Sequence, residues 1–350
     1  MEDFLSLELP ELEGRIHALG QPRYRARQIF SWIHGRGVFS AEQMHNLPGE
    51  LRGQVAPFLS PPPVALDQRL DGEDGTQKFR FRLRDGGVIE SVTIPEEKRV
   101  TLCVSTQVGC ALGCLFCRTG QMGLRRNLKV EEILGQYYAI RSMFGGKRAI
   151  THVVLMGMGE PLENQEATRR ALKLMTHPLG CGLSTRRITV STVGIPGRLE
   201  RLFSEIPVSI TLSLNAADDE TRSRLMPINR RYPIEEVLDT LRRIPLAPRR
   251  RFTIAYVLIR GENDSLKDAR RLVRILHGLR CKINLIPFNP FPETELRRPQ
   301  EGDVLAFQDC LRGRGLSTHV RWSRGGDVLA ACGQLGGEAP ENRKETPGDM

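Results

Sequence analysis

Three thiols fall within eight positions of the stretch VGCALGCLFCRTGQMG: Cys110, Cys114 and Cys117. Thiolate ligands select zinc or iron–sulfur clusters. A structural zinc site is closed by four ligands, and the thiol on offer as a fourth is Cys103, seven residues upstream. A four-iron cluster held by three thiolates instead leaves one iron open to a substrate or cofactor. The Cys-x3-Cys-x2-Cys spacing favours the cluster, with zinc closed by Cys103 as the alternative.

Other residues able to do chemistry sit near the C-terminal ends of candidate strands. GMGEP supplies Gly159, which lets backbone approach a ligand closely, and Glu160, which can neutralise an ammonium group. Ser191, the SLN run of Ser213, Leu214 and Asn215, and Asn289 between two prolines offer contacts to a ribose, a carboxylate or a base. Taken singly, each of these polar residues reads equally as a turn or cap. Together they mark one rim, the edge where parallel α/β folds place their ligands. Two further cysteines stand out. Cys103 lies in the strand feeding the cluster loop, and Cys332 lies among small residues in AACGQLGG. Little bulk surrounds Cys332, which suits a reactive thiol; the plainer reading is two buried free cysteines. Cys181, Cys281 and Cys310 read as structural, and the seven histidines show no ligand spacing.

The elements that must position these residues are legible in outline. From residue 100, VTLCVST, HVVLMG, RITVST, VSITLSLN, FTIAYVLI and INLIPF alternate with amphipathic segments such as PIEEVLDTLRRI. Six β–α repeats predict a parallel sheet, open or closed into a partial barrel, and STHVRWS adds a short strand. Upstream, QKFRFRL and GVIESVTI flank RDGG as a β-hairpin. Residues 1–60 read as helical. There Tyr24, Ile29, Trp32 and Ile33 share one side, Arg23, Arg25 and Arg27 fall largely on the others, and Ser40 is a candidate N-cap. The polar end of the chain reads as disordered.

Composition bounds the class. With 350 residues, 40% hydrophobic and 26% charged, the chain has ordinary globular values. No apolar run is long enough to span a bilayer, and MEDFLSLELPELEG lacks a signal-peptide pattern, so a cytoplasmic protein is expected. Eight cysteines in such a chain do not form a disulfide framework. A net charge of +10 points to a polyanionic partner, nucleic acid first. Arg23, Arg25 and Arg27, and Arg249 to Arg251, are candidate phosphate contacts.

The cluster spacing, with Phe116 before the last cysteine, is the signature of the radical S-adenosylmethionine (SAM) enzymes. YRARQIFSWIHGRGV, TLCVSTQVGCALGCLFCRTGQMGLRRNL, MGMGEP, RLMPINRRYPIEEVL, GENDSLKDA, NLIPFNPFP and RWSRGGDVLAACGQLGG together resemble the RlmN/Cfr family of radical SAM RNA adenine methyltransferases, over residues 10–337. The resemblance implies an α/β fold: a partial (βα)6 radical SAM barrel with a small N-terminal helical domain. The divisions would be a helical, RNA-docking domain at 1–60, a hairpin linker at 61–95, a core with the Cys332 loop at 96–335 and a tail at 336–350. It implies a [4Fe-4S] cluster on Cys110, Cys114 and Cys117, with SAM on the open iron. Gly159, Glu160, Ser191, Ser213, Leu214, Asn215 and Asn289 would contact that cofactor. Cys332 would carry a methyl group, Cys103 would release the product through a transient disulfide, and Glu90 would accept a proton. The implied substrates are an adenine of 23S rRNA, methylated at C2, and an adenine of tRNA near the anticodon. Methylation at C8, or a radical SAM reaction on a non-RNA substrate, are the alternatives. A flavodoxin or ferredoxin would donate electrons to a monomer. One departure is visible: Asn215 stands where the family usually has His.

Overall fold

The computed structural model describes residues 3–145 and 150–336; the tail segment 337–350 lies outside the described residues. The helical start comprises α1 (Leu9–Ala18), α2 (Tyr24–Phe30) and α3 (Gly49–Val55). Ile29 and Ile33 are fully buried as the helical spacing predicts, but Tyr24 is 53% exposed. Its ring instead lies beneath the guanidinium of Arg25. Ser40 also departs from expectation. Its hydroxyl bonds the Glu42 carboxylate, not a backbone N–H, and only one tight turn, Ala41–Gln43, follows. Pro48 delays the real helix to Gly49.

Strands β1 (Val64–Asp71), β2 (Gln77–Leu83) and β3 (Val88–Glu96) form an antiparallel meander that pairs through β3 with β4 (Arg99–Cys103). The predicted hairpin is therefore continuous with the main sheet. Beyond β4 come a small hairpin, β5 (Gln107–Gly109) and β6 (Leu124–Asn127), and between its strands the short helix α4 (Arg118–Gln121). The βα rhythm follows: α5 (Val130–Met143), β7 (His152–Leu155), α6 (Gln165–Thr176), β8 (Ile188–Thr192), α7 (Arg198–Glu205), β9 (Ser209–Ser213), α8 (Asp219–Leu225), α9 (Ile234–Arg243), β10 (Phe252–Leu258), α10 (Leu266–Ile275), β11 (Cys281–Pro287), α11 (Glu301–Arg312) and β12 (Thr318–Val320).

Among the described residues the large sheet runs β1-β2-β3-β4-β7-β8-β9-β10-β11-β12 and is parallel from β4 onward. Its two free edges make the barrel partial, as expected. Helices cover its outer face with periodic apolar residues, such as Ile234, Val237, Leu238 and Leu241 of α9. Local chemistry fixes the helix starts. Asp218 accepts the Thr221 amide at the head of α8, and Ser265 and Asp268 cap α10 reciprocally. Strand register defines the inner face. Cys103 aligns with Val154, and Ser191 aligns with Thr211, which aligns with Thr253. These residues and Ser213 line the lumen beneath the cluster loop.

Candidate active site

The cluster loop is held by close backbone packing. Gly109 admits no side chain, because a Cβ would run into the Gly123 carbonyl, and a Cβ on Gly120 would crowd the Cys114 backbone at 3.0 Å. The amide of Leu115 donates to the Leu225 carbonyl at the end of α8 (3.0 Å). Glycines of GMGEP do the same work. A Cβ on Gly157 would lie 2.7 Å from Ser105 Oγ, and one on Gly159 2.6 Å from Gln107. Their close approach is to the protein's own cluster strand, where the sequence suggested a ligand.

Burial raises the pKa of all three thiols, Cys110 to about 12 and Cys114 well above the usual thiol range. Cys110 and Cys114 each feel the charge of Cys117. Two buried sulfurs and the half-buried one of Cys117, set close together, ionise together only beside a multiply charged cation. Among the described residues, no three His, Cys, Asp or Glu side chains converge tightly enough to hold one metal ion. Zinc needs ligands at about 2.3 Å from a single point; a cluster places each thiolate on a different iron. The donor set fits the cluster.

Glu160 is 4% exposed. Oε1 accepts from Thr192 Oγ1 (2.6 Å) and the Leu162 amide (3.1 Å), and Oε2 from the Val193 amide (3.0 Å). Burial outweighs these bonds and pushes its pKa up to about 7. A carboxylate offers about four lone-pair positions, so one remains for a cationic ligand. Ser191 and Ser213 bring their hydroxyls within 3.3 Å of each other across β8 and β9. Asn215 adopts φ +59°, which Asn tolerates better than most residues. Its Oδ1 accepts the Val257 amide and its Nδ2 donates to Met226 sulfur, so both side-chain groups serve the fold. Leu214 is buried and contributes backbone: its amide donates to Ala255 and its carbonyl accepts from Arg222.

The second centre is Cys332. The side chain is exposed, yet crowding by protein desolvates the thiol and raises its pKa, with Cys117 as the next cause. Cys103, buried, is pushed up to about 12 by desolvation and then by the charge of Cys332. Cys103, Cys332 and Cys117 thus form a chain of neighbours, though the implied disulfide between Cys103 and Cys332 is not formed. Asn289 Nδ2 donates to the Cys332 carbonyl (3.1 Å), and Asn289 Oδ1 accepts from Arg298 and Ser323. Gly333 O accepts the Arg118 amide and Leu335 O accepts Thr119 Oγ1, docking this loop on the cluster loop.

Glu90 is buried on β3. Its Oε2 accepts the Gly336 amide (2.7 Å), and its Oε1 lies 3.5 Å from Lys78 Nζ, which donates to Leu329 O. Lys78 is not apparent from sequence, because QKFRFRL alternation puts it with Arg80 and Arg82 on a polar face. Neither is Arg222. It is fully buried on α8, and among the described residues no carboxylate is bonded to it. Its guanidinium donates to the carbonyls of Leu214, Tyr232 and Val193 and to Asn229 Oδ1. Burial lowers its pKa to about 10 while nearby Cys114 opposes that shift, so a fixed cation stands behind the thiol cluster. Nothing in the repeat pattern marks that Arg as buried.

Residues 104–273 match the radical SAM superfamily model, and residues 2–58 match the ribosomal RNA large subunit methyltransferase N-terminal domain. The dual-specificity RNA methyltransferase RlmN of Syntrophobacter fumaroxidans is 47% identical over 327 residues, covering 93% of this chain and 96% of its own length. That of Geobacter sulfurreducens is 47% identical over 341 residues, covering 97% and 93%. A radical SAM methyltransferase of Sphaerobacter thermophilus has a similar crystal structure, with TM-score 0.89 and 44% identity over 96% of this chain and 99% of that one. Superfamily membership implies a [4Fe-4S] cluster and SAM, the groups that the three thiols and the Glu160 rim suit. By full-length similarity and both domain matches, the chain belongs to the RlmN family of radical SAM methyltransferases.

Proposed function

We propose that this chain methylates C2 of an adenine in 23S rRNA and of an adenine in tRNA near the anticodon, through a methyl-cysteine on Cys332. The names of the relatives and the N-terminal domain match support the RNA substrate class. The observation that carries the mechanism is the position of Cys332, neighbour to both Cys103 and the cluster ligand Cys117.

Held by Cys110, Cys114, Cys117 and the Glu160 rim, the cluster and SAM would supply methyl groups and one-electron hydrogen abstraction. Burial keeps Cys332 protonated until a cationic sulfonium approaches, and that charge favours the thiolate when it must act. Cys332 sulfur then takes the methyl group by displacement. After hydrogen loss, the methyl carbon bonds to the base carbon, which is no nucleophile and would not accept a methyl cation. Glu90 accepts the ring proton, and the one electron that must leave with it would be taken up by the cluster, so that a closed-shell thioether joins Cys332 to the base. Cys103 sulfur attacks Cys332 sulfur: the S–S bond forms as the S–C bond breaks, and the electron pair left on carbon takes a proton to complete the methyl group. An external reductant restores both thiols. Arg23, Arg25 and Arg27 would contact RNA, and a flavodoxin or ferredoxin would donate electrons to a cytoplasmic monomer. Among the described residues, no helix is long and apolar enough to cross a membrane.

The test is nucleoside mass spectrometry after the anaerobically reconstituted protein acts on unmodified rRNA and tRNA. 2-Methyladenosine is expected from wild type and none from Cys332→Ala. 8-Methyladenosine would move the assignment to the other ring carbon. Full activity in Cys332→Ala would remove the methyl-cysteine, and cofactor cleavage without any methylated nucleoside would remove the RNA substrate.

A further inference from the structure

The +10 charge is unevenly spread. Residues 241–282 hold twelve Arg and Lys against three acidic residues, a balance of +9. Residues 1–60 hold six against seven, a balance of −1. Nearly all the excess therefore lies on the end of α9, the loop leading into β10, α10 and the residues entering β11, and none on the helical module.

Strand register says where part of it points. Lys282 aligns with Thr253, which aligns with Thr211 and through it with Ser191, so Lys282 shares their lumen-facing side, and as the second residue of β11 it lies toward the N-terminal base of its strand. Its ammonium is buried enough to lower its pKa, which Arg321, Arg99 and Arg251 lower further. Arg99 opens β4 and Lys282 lies on β11, with β7, β8, β9 and β10 between them in the sheet. These cations therefore meet across the barrel and not along one strand. Arg99 pairs with Glu96; among the described residues no carboxylate is within ion-pair distance of Lys282, Arg251 or Arg321. Beside this base lies a recess lined by Arg186, Arg249, Arg250 and Arg251 with Phe203 and Leu246. Arg250 is committed to Pro207 O and Thr185 Oγ1, while Arg186, Arg249 and Arg251 remain exposed. Arg249 occupies φ +65°, a conformation that Gly or Asn adopts at lower cost.

Like charges gathered without counter-charges raise the energy of the free protein and lower it again when an anion arrives. This end is the one remote from the cluster loop. Strands of five to seven residues, at about 3.3 Å per residue, separate the two ends by roughly 15–20 Å. An acidic electron donor docked here would be far from the cluster, so the chemistry favours a long polyanion reaching around the barrel. We propose that the N-terminal end of the barrel strands is a second RNA contact, gripping phosphates of the substrate RNA distant from the target adenine. This rests on the RNA reading above.

The test compares reconstituted wild type with Arg249→Gln/Arg251→Gln/Lys282→Gln. Binding of a whole tRNA transcript and of a hairpin too short to leave the mouth is measured from low to high salt. Each phosphate that is no longer neutralised lowers the slope of log affinity against log salt by about 0.7–0.9. A slope lower by about two, and affinity for tRNA at least tenfold weaker at low salt, are expected with hairpin binding unchanged. An unchanged slope on tRNA, or an equal weakening on the hairpin, would overturn the proposal. So would intact tRNA binding with slowed reduction by a flavodoxin, which would make this a protein-docking face. Wild type that binds neither RNA would overturn the RNA substrate itself.

Discussion

Glu160 illustrates how one side chain can couple stability to cofactor. Its pKa of about 7 lies above the carboxyl value in an unfolded chain, because burial outweighs three hydrogen bonds. The native protein therefore holds a proton that the unfolded chain has released, and stability falls as pH rises from about 4.5 to 7. The apoprotein should lose on the order of 3 kcal/mol across that window from this group alone. Glu160→Gln, which cannot titrate, should lack this component. Urea unfolding of both apoproteins at pH 5 and pH 8 measures it, and an equal fall in the variant would assign the effect elsewhere. Affinity for SAM should move oppositely, rising through pH 7 as the carboxylate becomes available to the cofactor ammonium. At this scale the sequence was informative where spacing is itself the chemistry, as with Cys110, Cys114 and Cys117. It offered Asn215 as a cofactor contact but could not show that its side chain is spent on Val257 and Met226, contacts made only after the strands pair.

The element that sets the position of Cys332 is the meander ahead of the barrel. Lys78 on β2 holds Leu329 O and Glu90 on β3 holds the Gly336 amide, so one buried ion pair grips the loop on both sides of the cysteine. Asp74 adds to this grip by accepting the Gly325 amide and pairing with Arg324. Removing one partner of a buried pair leaves the other uncompensated, at a cost of about 3–5 kcal/mol. Lys78→Met should therefore unfold at clearly lower denaturant concentration, and Lys78→Met/Glu90→Gln should recover much of that difference. A double variant no better than the single would mean that the pair is not coupled. The parallel strands were legible because buried apolar runs alternate with amphipathic helices. β1 was not, because its residues are half-buried or exposed and VALDQRLD carries no clean alternation. β5 and β6 are three and four residues long, too short for any period to register. Lys78 is buried by a loop some 250 residues downstream, which no local pattern can report.

On the scale of the whole molecule, the helical module is built into the barrel. Arg141 on α5 donates to Gly35 O (2.8 Å), and Arg170 on α6 donates to Glu11 and to Ser6 O. His34 Nδ1 meets the Tyr138 hydroxyl at 2.8 Å, which lies 3.4 Å from Cys181 sulfur. Phe30 packs edge-on to His177, and Phe39 on Tyr138. Apolar residues of the module and the barrel share one buried core. A joint of this kind predicts a single cooperative unfolding transition. In a Trp322→Phe background, Trp32 alone reports the module while far-ultraviolet circular dichroism reports the barrel. The two denaturation curves should superimpose, and separate midpoints would make the module an independent domain. The joint should also be sensitive to acid. Burial, and then the charge of His177, push His34 down to about 3, so below about pH 6.5 the unfolded chain gains a proton that the native one refuses. Stability should fall by up to about 1.4 kcal/mol per pH unit from this histidine, with both curves shifting together. A module that melts first at pH 5 would mean that His34 guards a local contact and that the barrel folds without it.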